Sequence, residues 1–99
     1  MRDVRYAERF ETLVARVVDG PGKSDPALRR AALTGDELPD DLVTYIEKVS
    51  LHAYKVTDAD VANLKAAGYS EDEIFELTVA AAVGAGVSRY EAGMRAMRG

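Results

Sequence analysis

The 99-residue chain contains no cysteine and no tryptophan, and it has only one histidine, two phenylalanines and three prolines. The absence of cysteine excludes disulfides, thiol nucleophiles, iron–sulfur clusters and cysteine-ligated zinc. A single histidine also argues against a histidine-rich metal site. We therefore predict that the protein has no metal, no cofactor and no thiol-based redox activity.

The chain also lacks a surplus of basic residues and a long apolar run. It has 13 Lys and Arg against 17 Asp and Glu, which gives a formal net charge of −4. Such a chain does not supply the positive field that binding to nucleic-acid phosphates requires, so we predict no nucleic-acid partner. The longest uncharged run covers residues 77–88, about half of a bilayer span, and the charged N-terminus lacks the apolar core of a secretion signal. We predict no membrane association and a cytoplasmic location.

What the chain does have is helical spacing of apolar residues, interrupted by glycine and proline. Together these patterns predict an all-α fold of about six helices, forming a single helical domain over residues 1–99. The first helix, over about residues 3–18, would turn inward Tyr6, Phe10, Leu13, Val14 and Val17. A second helix would start at Pro26 and end near Ala32, and a third would open at Pro39.

Three capping motifs predict where the later helices begin. Thr57 with Asp60, Ser70 with Glu73, and Ser88 with Glu91 each have the spacing of a capping box. Gly84 and Gly86 weaken the helix that follows Ser70, so we predict a bend there and a separate last helix from Arg89 to about Met97.

The turn Ala67-Gly68-Tyr69, the Ser-Glu-Asp-Glu-Ile start at residues 70–74 and the alanine-rich stretch of residues 79–86 resemble the carboxymuconolactone decarboxylase and alkylhydroperoxidase-like superfamily. The resemblance covers residues 38–97. It implies an alkylhydroperoxidase-like helical bundle that assembles as a homo-oligomer. Redox members of that superfamily carry a Cys-x-x-Cys pair followed by a histidine, and this chain resembles a divergent member without the motif.

Counting back from the Ala-Gly turn, the resemblance puts the two cysteine positions near Ala53 and Val56 and the histidine position near Asp60. An upstream acidic position falls near Asp41. None of these residues can form a disulfide or carry electrons, so peroxide reduction by a thiolate is chemically impossible here.

A second branch of the same superfamily decarboxylates a lactone without a cofactor. Such chemistry needs a general acid or base and a cationic group, and the groups available are His52, Tyr54, Asp60, Glu76 and Arg89. His52, Tyr54 and Asp60 are the candidate catalytic residues. The alternative interpretation of His52 is a helix C-terminal residue interacting with the dipole, and that of Glu76 is a solvated or salt-bridged carboxylate. We favour the alternative for both.

Three functions follow from these patterns. The leading hypothesis is a non-redox carboxymuconolactone decarboxylase-like protein that acts as an oligomeric binding or accessory subunit, with a partner protein or a small carboxylated ligand. The alternative is a cofactor-independent lyase or isomerase acting on a small carboxylated substrate. A third possibility is an interaction module that shares the helix pattern without the ancestry. Because the stretch of residues 79–86 is apolar on most sides, it is either the central helix of the monomer or partly covered by another subunit.

Overall fold

The computed structural model describes the backbone of residues 3–98 and the side chains of residues 8, 9 and 11–98. Over that range the chain is helical and contains no strand, which confirms the all-α prediction. There are five α-helices rather than about six, with a 3₁₀ turn at Ala53–Lys55 between the third and the fourth. In chain order they are α1 (Asp3–Asp19), α2 (Pro26–Thr34), α3 (Asp40–His52), α4 (Asp58–Ala66) and α5 (Glu71–Arg98).

The ends of α1 and α2 follow from local sequence. The Asp25 side chain accepts a hydrogen bond from the Ala27 amide at the start of α2, and Pro26 occupies the first turn, where no amide is needed. Gly35, with a φ of 80°, ends α2 in the left-handed conformation that glycine adopts at little cost. Two positions of the predicted α1 stripe, Tyr6 and Phe10, have side chains outside the described residues.

Two of the three predicted capping boxes are confirmed. At α4 the Thr57 hydroxyl accepts from the Asp60 amide while the Asp60 carboxylate accepts from the Thr57 amide. At α5 the same exchange joins Ser70 and Glu73, with distances of 2.9 Å and 3.1 Å. These reciprocal bonds satisfy amides that the first helical turn leaves without an intrahelical partner.

The third predicted capping box and the predicted last helix are wrong, because α5 continues from Glu71 to Arg98 without a break. A serine caps a helix only when its own backbone is extended, and Ser88 lies inside a helix already under way. An isolated glycine in a helix costs only about 1 kcal/mol, and no proline follows to end it. Gly84 has a packing role instead: a Cβ there would lie 1.9 Å from the Leu33 carbonyl oxygen, so glycine lets α2 approach α5.

The hydrophobic core forms around the first half of α5, which packs most extensively against α2, then α3, then α1. Its fully buried members include Leu42 and Ile46 of α3 and Leu77, Ala80 and Ala81 of α5. With 28 residues, α5 is about 42 Å long at 1.5 Å per residue, and it accounts for the longest dimension of 48 Å. No helix among residues 3–98 combines the length and apolarity needed to cross a bilayer.

Candidate binding surfaces

Two of the three candidate catalytic residues lie side by side at the surface. The rings of His52 and Tyr54 are 6.0 Å apart in an edge-to-face arrangement, at the junction of α3 and the 3₁₀ turn. Both side chains are exposed, Tyr54 to 81%. The Lys55 ammonium lies 5.9 Å from the Tyr54 ring centre, a distance at which a cation and an aromatic face attract each other.

The carboxylate of Asp60, the third candidate, forms hydrogen bonds and an ion pair that hold the fold together. Besides closing the α4 capping box, its carboxylate receives the Lys48 ammonium at 2.9 Å and 3.1 Å. The Lys48 hydrogen bond, together with the Thr57 amide, lowers the pKa of Asp60 below its usual value. Asp60 is therefore held as a carboxylate by neighbours from α3 and from its own helix start.

Glu76 is half-buried and binds the loop between α1 and α2. Its carboxylate accepts from the Lys23 amide at 2.8 Å, from the Ser24 amide at 2.8 Å and from the Ser24 hydroxyl at 2.6 Å. The Ser24 hydroxyl bond and the Lys23 amide bond lower the pKa of Glu76, with the Arg29 charge adding to the effect. Glu76 thus stays ionised in a structural role, held by hydrogen bonds from Lys23 and Ser24, rather than serving as a proton carrier.

Arg29 lies beside Glu76 and binds the same loop between α1 and α2. It was not identified as a candidate residue from the sequence. It is only 4% exposed, and its guanidinium donates to the carbonyl oxygens of Gly20 at 2.9 Å and Val17 at 3.3 Å. These are carbonyls at the end of α1, which the helix itself leaves without partners. Gly22 makes room for the arrangement, because a Cβ there would lie 2.8 Å from Glu76 Oε1 and 3.0 Å from Arg29 Nη1.

Two further polar groups from the sequence argument also have structural partners. Asp41 accepts a hydrogen bond of 2.9 Å from the Tyr69 hydroxyl. Burial and the Asp41 bond together raise the pKa of Tyr69 to about 12. The Arg89 guanidinium donates to the Ser50 carbonyl oxygen at 2.7 Å, which links α5 to the end of α3.

A groove of about 830 Å³ separates α1 from the second half of α5, with α2 contributing at one end. Its charged lining residues have both signs, and one such pair, Arg30 and Asp19, forms a salt bridge of 3.4 Å. The apolar and aromatic lining residues are Val14, Ala15, Leu33, Val87, Tyr90 and Met94. A concave, mostly apolar site with a few charged groups has the character of sites that bind amphipathic ligands or partner helices.

A smaller groove of about 370 Å³ lies between α2, α3 and α5, where Ser50, Leu51 and Arg89 contribute to its lining. Neither of these grooves is lined by His52, Tyr54 or Asp60. Among the described residues, no three histidine, aspartate or glutamate side chains cluster closely enough to hold a metal ion.

The outward side of α5 carries a second candidate surface, which we call the outer face. Its residues recur at intervals of three and four, so they lie on one side of the helix. They are Phe75, Val79, Ala82, Gly86, Tyr90, Gly93 and Met97, and none is charged. Phe75 is 69% exposed and Met97 81% exposed, although the solvent side of a helix is ordinarily charged or polar.

Two glycines on the outer face have no packing role among the residues that the structure describes. A Cβ at Gly86 or at Gly93 would meet no atom of the described residues within 4 Å. Each glycine costs about 1 kcal/mol of helix stability relative to alanine. Gly84 is required by the contact with Leu33, whereas nothing in the described part of the molecule requires Gly86 or Gly93.

The chain matches no protein-family model, no curated protein sequence and no solved structure. The resemblance to the carboxymuconolactone decarboxylase and alkylhydroperoxidase-like superfamily therefore remains a prediction drawn from the sequence pattern.

Proposed function

We propose that the protein is a self-associating binding or accessory subunit without redox chemistry, a non-redox relative of the carboxymuconolactone decarboxylase-like proteins. The observation that carries the proposal is the outer face of α5, which is uncharged and is exposed at five of its seven positions, with Val79 and Tyr90 half-buried. Exposed apolar surface of this kind marks protein interaction sites. A surface that a second subunit covers would explain why its residues are not polar.

The surface available for assembly differs from the one expected from the sequence. Within the alanine-rich stretch, Ala80 and Ala81 are fully buried by the chain itself, while Ala82 and Gly86 are exposed. The first pair belongs to the monomer core, so only the outward residues of the stretch can contact another subunit. Substitutions that test assembly must therefore lie on the outer face, since changing Ala81 would disturb folding.

The groove between α1 and α5 supports the binding part of the proposal. Its apolar lining and the arginines at positions 95 and 98 suit a small carboxylated ligand with an apolar body, although three acidic residues also line the groove and Arg30 is paired with Asp19. An anionic naphthalene sulfonate dye is a suitable probe, because its fluorescence rises in apolar sites. We expect Val87→Gln, inside the groove, to reduce dye binding and Ala92→Gln, exposed and outside it, to leave binding unchanged. Equal dye binding by the two variants would contradict a ligand site in the groove.

The experiment for self-association measures the molar mass of the protein by size exclusion with light scattering at micromolar concentration. We expect a stable oligomer that Phe75→Glu dissociates, because a charge placed on the outer face would be buried without a partner. The matched control is Leu51→Glu, which changes a leucine of similar exposure, 65%, at the end of α3.

A monomeric wild-type protein would refute self-association. An oligomer that Leu51→Glu dissociates and Phe75→Glu does not would refute assembly through the outer face. In both variants the circular dichroism spectrum should stay helical, because the two substituted side chains are mostly exposed.

The alternative function is a cofactor-independent lyase or isomerase that uses His52 and Tyr54, with Asp60 nearby in sequence. It is favoured by one observation, the ring contact between His52 and Tyr54, which lies two residues along the chain from Ser50, whose carbonyl oxygen accepts a hydrogen bond from Arg89. A carboxylated substrate would need such a cation. The test is turnover of small carboxylated lactones by the wild type and by His52→Ala. Turnover that is lost in His52→Ala would favour the lyase, and no turnover by the wild type would count against it.

A further inference from the structure

The residues of the outer face are arranged symmetrically about Gly86, and this symmetry identifies the partner that would cover it. Counting outward, Ala82 and Tyr90 lie four positions from Gly86, Val79 and Gly93 lie seven, and Phe75 and Met97 lie eleven. If a second α5 ran antiparallel to the first, with the twofold axis at Gly86, each residue would face its counterpart on the other side. We propose that the outer face of α5 pairs with the outer face of a second copy in this antiparallel arrangement.

Two of the three facing pairs match a larger side chain with a smaller one. Val79 of one copy faces Gly93 of the other, and Ala82 faces Tyr90, whereas Phe75 and Met97, both large, face each other at the ends of the contact. Gly86 faces Gly86, where the two helices approach most closely. Alternation of large and small residues across facing positions is how two helices interdigitate without voids. A parallel pair in register would instead place Gly93 against Gly93 and Tyr90 against Tyr90, which leaves a gap beside a crowded position.

Charge and helix dipole favour the same orientation. The first turn of α5 contains Glu71, Asp72 and Glu73, and its last turn contains Arg95 and Arg98. In the antiparallel pair the acidic start of one helix lies beside the basic end of the other. The two macrodipoles also oppose each other. A parallel pair would put like charges together at both ends, so the charges of the helix ends favour the antiparallel orientation.

Because the native chain has no cysteine, every introduced thiol is unique, and disulfide formation can report the pairing directly. Helix axes about 10 Å apart leave facing Cα atoms roughly 5 Å apart at the crossing, since each lies about 2.3 Å from its axis. That distance lies within the range of about 4.4–6.8 Å that a disulfide at Gly86 requires. The two copies of Gly93 would lie on opposite sides of the twofold axis, about 21 Å apart at 1.5 Å per residue, which is far too long.

The experiment oxidises single-cysteine variants of the full chain and separates the products on a non-reducing gel. We expect Gly86→Cys to cross-link with itself. We expect Val79→Cys and Gly93→Cys to cross-link when mixed and not when oxidised separately. The control is Ser88→Cys, an exposed site two residues from Gly86 and about 200° around the helix, which should not cross-link.

This inference rests on the self-association proposed above, and the outcomes separate the two. An oligomer by light scattering that gives no cross-link at Gly86 would overturn the antiparallel pairing and leave the proposed function standing. Self-cross-linking of Gly93→Cys would overturn it in favour of a parallel pair or another partner. A monomer would overturn both. As a second measurement, Gly86→Leu should raise the dissociation constant of the dimer about tenfold or more, because it overpacks the closest approach.

Discussion

The two sides of α5 use glycine and alanine for different purposes. On the inner side, Ala80 and Ala81 are fully buried, and Gly84 admits the backbone of Leu33. On the outer face, Ala82 and Gly86 are also small, but both are exposed, and a Cβ at Gly86 would meet no atom of the described residues within 4 Å. Small residues let helices approach closely, so the inner set is explained by α2, which packs there. The outer set is of similar composition, and nothing in the described part of the molecule packs against Gly86.

This difference indicates that the outer face of α5 is less polar than folding of the monomer requires. A helix that folds against one set of neighbours needs an apolar inner stripe and tolerates a charged exterior. In α5 the charges concentrate at the two ends, and the stretch between Phe75 and Met97 has an uncharged outer face. Substitutions that are harmful on one side should therefore be harmless, or even favourable, to folding on the other.

The largest expected contrast is between two neighbouring apolar residues of α5. Leu77 is 1% exposed and Phe75 is 69% exposed. Leu77→Ala should lower the free energy of unfolding by about 3 kcal/mol, because it leaves a cavity in the core. Phe75→Ala should lower it by about 0.5 kcal/mol or less. Urea unfolding measures both free energies, at a protein concentration low enough to keep the chain monomeric. Equal losses of stability in the two variants would contradict the placement of Leu77 in the core and of Phe75 on the outer face.

Glycine substitutions should give the next largest contrast. Gly84→Ala forces a Cβ against the Leu33 carbonyl oxygen and should cost about 2 kcal/mol, through displacement of α2. A Cβ introduced by Gly86→Ala meets no atom of the described chain within 4 Å, so this substitution should stabilise the helix by about 1 kcal/mol. The same unfolding measurement compares the two variants. A Gly84→Ala variant as stable as the wild type would contradict the close approach of the Leu33 carbonyl oxygen to Gly84.

Much of the fold could be predicted because its determinants are local. The capping boxes at Thr57 and Ser70 each involve residues three apart, and the left-handed Gly35 needs only its own backbone. The Ser88 motif has identical spacing and caps nothing, because the residues before it already form a helix. A capping-box motif therefore predicts that a helix can start at its first residue. A new helix starts there only if the preceding helix has already ended.

The candidate site could be predicted less well, because it depends on contacts between distant residues. Glu76 binds Lys23 and Ser24 across more than fifty positions, and nothing in the local pattern indicates this. His52 and Tyr54 were identified as neighbours in sequence, but their exposure follows from the 3₁₀ turn after α3. The outer face of α5 could have been recognised from its intervals only if α5 had been predicted as one helix.

A smaller effect on stability is expected at Glu76, whose carboxylate binds α5 to the loop between α1 and α2. Glu76→Gln keeps the shape of the side chain and removes the charge that three donors bind, so it should lower the free energy of unfolding by about 1 kcal/mol, allowing for partial exposure. The matched control is Glu91→Gln, on the same helix and exposed, which should change stability little. Equal effects of the two substitutions on stability would contradict a stabilising role for the hydrogen bonds that Glu76 accepts from Lys23 and Ser24.

The same variant makes a prediction about pH. The pKa of Glu76 is lowered in the folded protein from an ordinary value of 4.5, so its stabilising effect is fully present above that value and is lost as the pH falls through the lowered pKa. The difference in stability between wild type and Glu76→Gln should therefore be constant near neutral pH and shrink under acidic conditions. Unfolding curves at a series of pH values measure this difference, and a gap that widens on acidification would contradict the assigned hydrogen bonds.

The smallest effect on stability is expected for Gly93→Ala, a substitution that should favour folding of the monomer and weaken the dimer. Gly93→Ala fills no space that the described chain occupies, and it replaces a poor helix former near the end of α5. It should raise the stability of the monomer by about 0.5 kcal/mol, less than at Gly86 because helix ends fray. In the antiparallel pair the added methyl group faces Val79 of the second copy, so the dimer should weaken. Unfolding of dilute protein and a dilution series followed by light scattering measure the two effects separately. If Gly93→Ala strengthened both folding and assembly, close approach would not be the reason for glycine on the outer face.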